Sequence, residues 1–481
     1  MRGHPGIVLY RFGIVLFWLV LAGMLSACAQ DLSAPKSFKD LDFEQSVTWP
    51  EYDVRTIELD NGVRLFLLED HELPLIDMQV SIRSGSIEVP KGKEGLARVA
   101  ADAMRSGGSE EHPGRKLNKL LENRAARMGF SFSLDSGSAS LNCLKEDFSR
   151  LLPVFMDVLQ NPRFPGDKIA LAKQQLRTSI SRRNDQQRDI AVRKFKKLIY
   201  GRDSVYARVP QYGTVDAIER EDLMRFHREA VRAGNLYVGL VGDFDADKMA
   251  IRLRRAFSEV RQGRNELEFP GVASRFEPSV YLVDKPNVNQ TYILMGHIGD
   301  LRRNPDYPEL QVLNEVLSGG FSGRLFQEIR TKRGLAYSVF GRYGCKVDYP
   351  GMFFVGVRTK SETTLETVRA VEEELEAIRS EGVAVEEVRQ AKERFLNSLV
   401  FSYDTPDKVL HRRMRYACKG MDQDSFQELI REVKNVDRGD VQRVAREYLH
   451  PEKMKILLVG NKKELREEIS AMEAEVRDLE L

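Results

Sequence analysis

Alternation of apolar and polar positions from residue 54 onward predicts β-strands. Two runs with strand signals, Val54–Leu59 and Val63–Leu68, flank the tripeptide Asp60-Asn61-Gly62. Asn and Gly accept the positive φ angles that a tight hairpin requires, so the two runs should pair as an antiparallel hairpin. In a third run, Met78–Ile82, apolar and polar residues alternate, which predicts a further strand.

Helical periodicity appears between these strands. Gly95–Ser106 has apolar residues at three- and four-residue spacings, which place them on one helical face. Similar patterns predict helices at Arg115–Met128, Phe148–Leu159 and Asp167–Arg183, and strands at Phe130–Leu134 and Ser138–Leu144. The elements predict a mixed α+β unit in which helices pack on one face of antiparallel strands.

The chain contains an internal repeat. Several identical residues recur 218 positions apart: Asp222 and Asp440, Glu229 and Glu447, and Gly242 and Gly460. Such a constant offset indicates two related halves. We therefore predict homologous domains at residues 50–262 and 279–481, joined by a polar linker at residues 263–278 that contains Gly and Pro.

The N-terminus has the pattern of a secretory leader. Arg2 and Arg11 precede the apolar run Phe12–Ala27, which is short for a membrane-spanning helix. Its end, Leu25-Ser26-Ala27-Cys28, resembles the bacterial lipobox, which implies cleavage after residue 27 and a lipid on Cys28. Residues 28–49 then form a polar tether. An ordinary signal peptide with a chance cysteine, or an uncleaved anchor, is the alternative.

Composition excludes a bulk attraction for nucleic acid. The chain of 481 residues has 74 Lys and Arg and 72 Asp and Glu. Without Arg2 and Arg11 of the leader, it has 72 of each sign and is formally neutral. A local basic patch stays open. Three cysteines follow Cys28, and since an odd number cannot all pair within one chain, Cys143, Cys345 and Cys418 are expected to be buried free thiols.

Several motifs resemble one family. They are Leu65–His71, Gly95-Leu96-Ala97, Asn161–Phe164 and above all the long block Ser322–Ser338. Together with the repeat they resemble the pitrilysin/insulinase family of zinc peptidases, which includes the mitochondrial processing peptidases. The resemblance covers about residues 50–470. It implies two homologous α+β domains, each a curved antiparallel sheet backed by helices.

The zinc motif of that family is degenerate in this chain. Active members have H-x-x-E-H after Gly-Leu-Ala: histidines four apart share a helical face and bind Zn²⁺, and the Glu activates the bound water. Here Arg98 replaces the first His, Ala101 the Glu and Asp102 the second His. The later Glu ligand would fall near residues 178–179, which are Thr and Ser. Arg98 and Asp102 are spaced for a local ion pair, and we expect no metal or other cofactor.

No other register restores the motif, because no two of the seven histidines lie within five residues of each other. They are His4, His71, His112, His227, His297, His411 and His450. A metal site assembled from distant histidines is the remaining alternative. The run Gly319–Gly323 has two interpretations: in the family it resembles the flexible, substrate-contacting loop of non-catalytic subunits, and otherwise it is a turn that begins a helix.

The resemblance assigns substrate contacts to the second half. Zinc-free subunits of the family's heterodimers use an Arg and a Tyr seven residues apart, which are Arg330 and Tyr337 here. An Arg can hold a peptide carbonyl or carboxylate, and a Tyr hydroxyl can donate to an oxyanion. The alternative is that both residues pack or cap locally.

These observations favour a zinc-free, substrate-binding subunit of a periplasmic heterodimeric peptidase, whose partner is a zinc-bearing homologue and whose substrate is a peptide. We expect no peptidase activity from the chain alone. Ala29 after Cys28 favours the outer membrane over the inner membrane. Two other functions stay open: a structural or scaffolding envelope protein, and a divergent peptidase with a rearranged metal site.

Lipidation of Cys28 is testable by intact-mass analysis of protein extracted from membranes. We expect a mature chain that begins at Cys28 and carries acyl mass. A matched Cys28→Ser variant should lose the acyl mass. A mature wild-type chain that begins before residue 28, or that lacks acyl mass, would contradict the prediction.

Overall fold

The computed structural model describes residues 52–272, 277–472 and 474–481, all within one compact unit. The predicted leader and the whole predicted tether, residues 28–49, lie outside the described residues. Within the described chain, no helix combines the length and apolar character needed to cross a bilayer.

In the first half, the described residues form six strands and eight α-helices. The strands are β1 (Arg55–Glu58), β2 (Arg64–Glu69), β3 (Leu75–Ile82), β4 (Arg127–Phe132), β5 (Gly137–Leu144) and β6 (Leu236–Gly242). The helices are α1 (Leu96–Gly107), α2 (Gly114–Glu122), α3 (Lys145–Gln160), α4 (Gly166–Arg182), α5 (Gln187–Tyr200), α6 (Tyr212–Asp216), α7 (Arg220–Ala230) and α8 (Ala246–Phe257). The predicted hairpin is confirmed: β1 and β2 pair antiparallel, and Gly62 in the turn has φ 93°.

The described residues of the second half form eight strands, seven α-helices and a π-helix. The strands are β7 (Ser279–Asp284), β8 (Gln290–Ile298), β9 (Asp300–Leu301), β10 (Ala336–Tyr343), β11 (Cys345–Lys346), β12 (Met352–Lys360), β13 (Lys455–Gly460) and β14 (Val476–Leu479). The α-helices are α9 (Tyr307–Ser318), α10 (Thr364–Ser380), α11 (Val385–Val400), α12 (Pro406–Lys419), α13 (Ser425–Asn435), α14 (Arg438–Tyr448) and α15 (Arg466–Ser470). The π-helix spans Phe326–Lys332.

Strand order repeats between the halves. The first sheet has the order β4-β5-β3-β6-β2-β1, and the second has β10-β12-β8-β13-β7-β14. The first five strands of each order correspond, including the parallel pair β2–β6 and its counterpart β7–β13. The predicted α+β fold class is confirmed, but the sheets are mixed rather than wholly antiparallel. The parallel pairs arise because β6 and β13 return to the sheet centre after a long helical excursion.

Helices cover one face of each sheet. In the first half, α1, α3, α7 and α8 pack their apolar faces against the sheet. In the second half, α9, α10, α11 and α14 do the same. The second face of each sheet is covered by a helix from the other half.

This exchange of helices is reciprocal. Helix α5 of the first half packs Ile190 and Phe195 against Leu294 and Leu457 of the second sheet. Helix α12 of the second half packs Leu410 and Met414 against β2 and β6 of the first sheet. Gly239 in β6 allows this approach, because a Cβ there would lie 2.1 Å from Met414 Sδ. The central strands are therefore buried on both faces, which explains their unbroken apolar sequences.

One predicted helix is wrong at its end. The expected helix Arg115–Met128 stops at Glu122, and Arg127 already begins β4. Ala125 has a φ of 49°, which no helix accommodates, and β4 then pairs with β5 as an edge strand. Tertiary pairing overrides the helical periodicity of this segment.

The linker region packs between the halves. Tyr206 stacks on Tyr349 with ring centroids 4.4 Å apart, and its hydroxyl donates to the Pro270 carbonyl at 2.8 Å. Phe269 stacks on the same Tyr349 ring. An aromatic stack thus joins residues of both halves to the linker.

A partly buried charge network also joins the halves. The Lys419 ammonium at the end of α12 contacts Asp348 at 2.6 Å and Asp135 of the first half at 2.5 Å. Arg83 of the first half contacts the same Asp348 at 3.2 Å. The Lys419, Asp348 and Arg83 side chains are only 10–14% exposed. Charges in such a site require their partners, so the network should stabilise the position of α12.

Lys419→Met should therefore lower the free energy of unfolding by about 2–5 kcal/mol, because it leaves two carboxylates without their shared cation. The matched control is Lys91→Met. Lys91 pairs with Asp203 on an open surface, where both side chains are over 70% exposed. The control substitution should lower the free energy of unfolding by less than about 1 kcal/mol. Urea denaturation followed by circular dichroism measures both, and equal midpoints would contradict the prediction.

Candidate functional site

The degenerate zinc motif lies on α1, and its ligand positions point outward. Leu96, Val99 and Ala100 of this helix are buried in the core. Arg98 and Asp102 occupy the outer face with side chains 53% and 40% exposed. The predicted ion pair forms, with Arg98 Nε 3.9 Å from Asp102 Oδ2, at the long end of ion-pair distances. Partial burial raises the pKa of Asp102, and the nearby Arg98 opposes that shift.

The side chains at these positions do not fit Zn²⁺. A catalytic zinc site needs three protein ligands from His, Glu, Asp or Cys. The arrangement here offers a guanidinium at Arg98, a methyl group at Ala101 and one carboxylate at Asp102. On the neighbouring helix α4, Thr178 donates its hydroxyl to the Gln174 carbonyl of its own helix at 3.0 Å. One carboxylate is insufficient, and the guanidinium would repel a metal ion.

A small cleft adjoins the start of α1. It has a volume of about 160 Å³ and is lined by apolar groups, including Val89, Ala97 and Phe132, together with Arg98 and Arg208. Arg208 lies 3.6 Å from Glu94 and also donates to the Val89 carbonyl at 3.3 Å. The cleft therefore has the size of one side chain, and its charged lining consists of Arg98, Arg208 and Glu94.

The described histidines do not form a zinc-peptidase site. His227 and His297 are buried, and burial lowers the pKa of both, that of His297 to about 4. The exposed His71 has its pKa raised, chiefly by its hydrogen bond to Asp243. Each of these three histidines has a local structural partner.

One cluster of potential metal donors occurs among the described residues: Glu111, His112 and Asp157. His112 Nδ1 lies 3.0 Å from Asp157 Oδ2, which also accepts from the Ser109 hydroxyl. Burial raises the pKa of Asp157, but the hydrogen bonds from Ser109 and His112 outweigh it and hold the pKa low. These contacts fix the loop between α1 and α2, so a structural role accounts for the cluster.

Arg330 and Tyr337 both lie at irregular backbone in the second half. Arg330 is in the π-helix, and its guanidinium carbon lies 4.8 Å from the centroid of the Phe326 ring. Tyr337 is at the start of the edge strand β10, where the pairing with β12 slips between Ala336 and Ser338. Its side chain is 70% exposed. π-helices and β-bulges recur at functional sites because both re-aim side chains.

The rest of the Ser322–Ser338 block has structural contacts. The Arg324 guanidinium binds Glu387 through two hydrogen bonds of 2.7 and 2.9 Å and also contacts Glu374 at 3.3 Å. The hydrogen bonds with Glu387 raise the pKa of Arg324 above its ordinary value. Leu325 and Ile329 are fully buried. The block is thus a rigid support from which a few side chains project.

The glycine run Gly319–Gly323 is a turn between α9 and the π-helix, with Gly320 at φ 64°. It projects Phe321, whose side chain is 77% exposed and whose ring meets the Phe326 ring edge-to-face at 5.1 Å. Our sequence analysis missed Phe321 as a candidate contact. Its signal was an aromatic residue between two pairs of small residues.

The cysteine prediction is largely confirmed. Cys143, Cys345 and Cys418 are free; Cys143 and Cys418 are buried and Cys345 is half-buried. Burial raises the pKa of Cys143 and of Cys345 to about 12, so neither thiol is poised for nucleophilic chemistry. Cys28 lies outside the described residues, and its lipidation remains a prediction.

Several known proteins are similar to this chain in fold and in sequence. A non-peptidase homolog named YmxG from Helicobacter pylori is 23% identical over 402 residues, covering 82% of this chain and 91% of the relative. A solved peptidase M16 inactive domain from Pseudomonas fluorescens superimposes with a TM-score of 0.77 at 23% identity, covering 85% of this chain and 98% of that one.

A longer structural neighbour is the periplasmic protease PqqL from Escherichia coli. It has a TM-score of 0.73 and 14% identity, and the match covers 92% of this chain but only 50% of the PqqL chain. The aligned unit therefore accounts for half of the longer protein.

Two family models match successive parts of the sequence. Residues 65–206 match the insulinase (peptidase family M16) model, and residues 217–395 match the peptidase M16 inactive domain. The second match begins within the first half of the chain and ends at residue 395. Together the two matches cover more than half of the chain and leave residues 396–481 unmatched. The chain belongs to the insulinase, or M16, peptidase family and lacks that family's inverted zinc motif.

Proposed function

We propose that this chain is the zinc-free, substrate-binding subunit of a heterodimeric M16 peptidase on the periplasmic face of a bacterial envelope. A lipid on Cys28 would hold it there, at the outer membrane. The observation that carries the proposal is the contrast between the two sites: the zinc positions of α1 have lost their chemistry, while Arg330 and Tyr337 project from an intact support.

The exposure of this pair favours a role in binding. A Tyr side chain that is 70% exposed at a β-bulge contributes little to folding, so the bulge serves mainly to direct it outward. The Arg330 side chain is exposed and stacks on the Phe326 ring, which leaves its five N–H donors available. Together they supply a cation for a peptide carbonyl or carboxylate and a hydroxyl donor for an oxyanion.

The length relation to PqqL supports pairing. The match with this chain covers half of that periplasmic protease. A second unit of similar size would complete an assembly of comparable length. In our proposal that unit is a separate, zinc-bearing homologue, and the peptide is held between the two chains.

A second function, structural scaffolding in the envelope, is favoured by different contacts. Arg324 with Glu374 and Glu387 stabilises the same block, and Arg330 stacks on Phe326. These contacts would maintain the block for folding alone. The scaffold hypothesis therefore predicts that changes at the exposed pair have no catalytic effect. A rearranged peptidase site is a third possibility, with Glu111, His112 and Asp157 as its donors.

Pairing and zinc content can be tested together. We expect affinity purification from native membranes to recover an M16 homologue with an intact H-x-x-E-H motif. We also expect the purified single chain to bind far less than one zinc, because α1 offers only one carboxylate. Elemental analysis and a peptide-library assay of the same sample measure both properties. One zinc per single chain, with chelator-sensitive hydrolysis, would instead support the rearranged peptidase.

Tyr337→Phe should lower kcat of the reconstituted heterodimer by roughly 10²-fold with little change in assembly, since a lost oxyanion donor costs about that much. Arg330→Ala should raise KM, lower kcat, or both. The matched control is Arg333→Ala, which removes a neighbouring cation paired with Glu373 on the surface. Steady-state kinetics, with assembly checked by size exclusion, decide the outcome. Wild-type kinetics in intact dimers of both variants would favour the scaffold.

A further inference from the structure

Positive charge is concentrated on α5 and its flanks. Residues 182–208 contain nine Lys and Arg but three Asp, a net charge of +6, whereas the whole chain has +2. The helix has an apolar face that packs on the second sheet, so its charged residues are forced onto the other side. The local basic patch that the composition left open is therefore present.

The outer face of α5 forms one wall of a cleft. Arg188, Val192 and Lys196 follow each other at four-residue spacing and line a cleft of about 480 Å³, with Arg193 beside them. The opposite wall is the irregular segment Tyr206–Val209. Asp189 is the one carboxylate that lines this cleft among the described residues. A cleft with a cationic wall suits an anionic chain.

The cations of this cleft are not neutralised locally. Within residues 52–272, 277–472 and 474–481, no carboxylate lies within ion-pair distance of Arg188, Arg193 or Lys196. Arg193 donates to the Arg183 carbonyl at 2.9 Å and to the Asn184 side chain at 2.5 Å, both neutral groups. Burial and the neighbouring cations Lys197 and Arg193 lower the pKa of Lys194 to about 8. Like charges thus crowd this helix.

The cationic surface continues in both directions. At one end, Arg188 donates to the Tyr292 hydroxyl, which also lies in the field of Arg358 on β12. β12 is the neighbour of β10, the strand that holds Tyr337. At the other end, Arg208 lines both this cleft and the small cleft beside Arg98. We call the surface formed by Arg358, Arg188, Arg193, Lys196, Arg208 and Arg98 the cationic track.

We propose that the cationic track binds an extended, acidic polypeptide segment rich in Asp or Glu. Charge complementarity supplies the attraction. Among the described residues, four cations of the track have no carboxylate within ion-pair distance, Arg98 lies 3.9 Å from Asp102, and Arg208 lies 3.6 Å from Glu94. The track joins the strand next to Tyr337's strand with the cleft beside the former zinc positions. The inference rests on the proposed function only in identifying the bound segment as a substrate.

Peptide binding is favoured over a lipid surface by shape. A cleft between a helix and a facing segment can hold a single peptide chain. Contact with a bilayer instead requires an open surface that is flat or convex. The cleft at α5 and the side-chain-sized cleft at Arg98 share a wall residue, so one extended peptide can occupy both.

The test is fluorescence anisotropy of the isolated full chain with a labelled (Glu-Gly)₆ peptide. We expect saturable binding that weakens at least tenfold when salt rises from about 20 to about 150 mM, because screening shortens the range of these charges. A (Gln-Gly)₆ peptide should bind at least tenfold more weakly. This assay contains no partner chain. Binding of the acidic peptide can therefore be observed even if the heterodimer proposal is wrong, and the heterodimer can form even if the acidic peptide does not bind.

Arg188→Glu/Lys196→Glu should weaken binding of the acidic peptide by about tenfold or more. The matched control is Arg431→Glu/Lys434→Glu on α13, which lies in the helical layer on the opposite face of the second sheet. It has the same change in net charge and should alter affinity less than twofold. Lys196→Gln is a milder variant that preserves the fold if the double reversal does not, and it should weaken binding about two- to threefold.

Three outcomes would overturn the proposal. One is equal binding of the Glu and Gln peptides. Another is equal loss in the α5 and α13 variants, which would indicate a response to net charge alone. The third is binding of phosphatidylglycerol vesicles, sensitive to the α5 variant, without binding of the acidic peptide.

Discussion

The fold depends on the reciprocal exchange of α5 and α12. Each sheet has strands at its centre that are apolar on both faces, so helices from its own half cover only one side. Val241 of the first sheet and Leu457 of the second would be exposed without the helix from the other half. Because these surfaces are buried only in the presence of the other half, each half stabilises the other. The network around Lys419 and Asp348 holds the end of α12 in place.

Because this constraint lies far from the zinc positions, the fold tolerates their loss. On α1, the residues that hold the helix to the core are Leu96, Val99 and Ala100, which face inward. Arg98 and Asp102 face outward and contact mainly each other. A metal site built on the outer face of a well-packed helix can change its chemistry without repacking the core. The family fold and the family's catalytic chemistry are therefore separable in this chain.

The sequence predicted what local patterns encode. The hairpin around Gly62 and the Arg98–Asp102 pair follow from short-range spacing, and the repeat of the halves follows from the constant offset of 218 positions. The end of α2 was missed because periodicity continues past Ala125, whose positive φ only the edge pairing of β4 enforces. The helix exchange joins residues more than 100 positions apart, and the bulge at Tyr337 arises from its pairing with β12; neither has a local signature.

The two faces of helix α5 have different roles. The inward face, with Ile190 and Phe195, is required to cover the second sheet and has little freedom to change. The outward face, with Arg188 and Lys196, lines the cleft, and Arg188 also donates to the Tyr292 hydroxyl. Helix α5 alone has five Lys and Arg and one Asp, a net charge of +4 in a nearly neutral chain, which folding does not explain because like charges on one helix repel. Such a surface costs stability unless an anionic ligand offsets the repulsion, and this is the physical reason to seek function there.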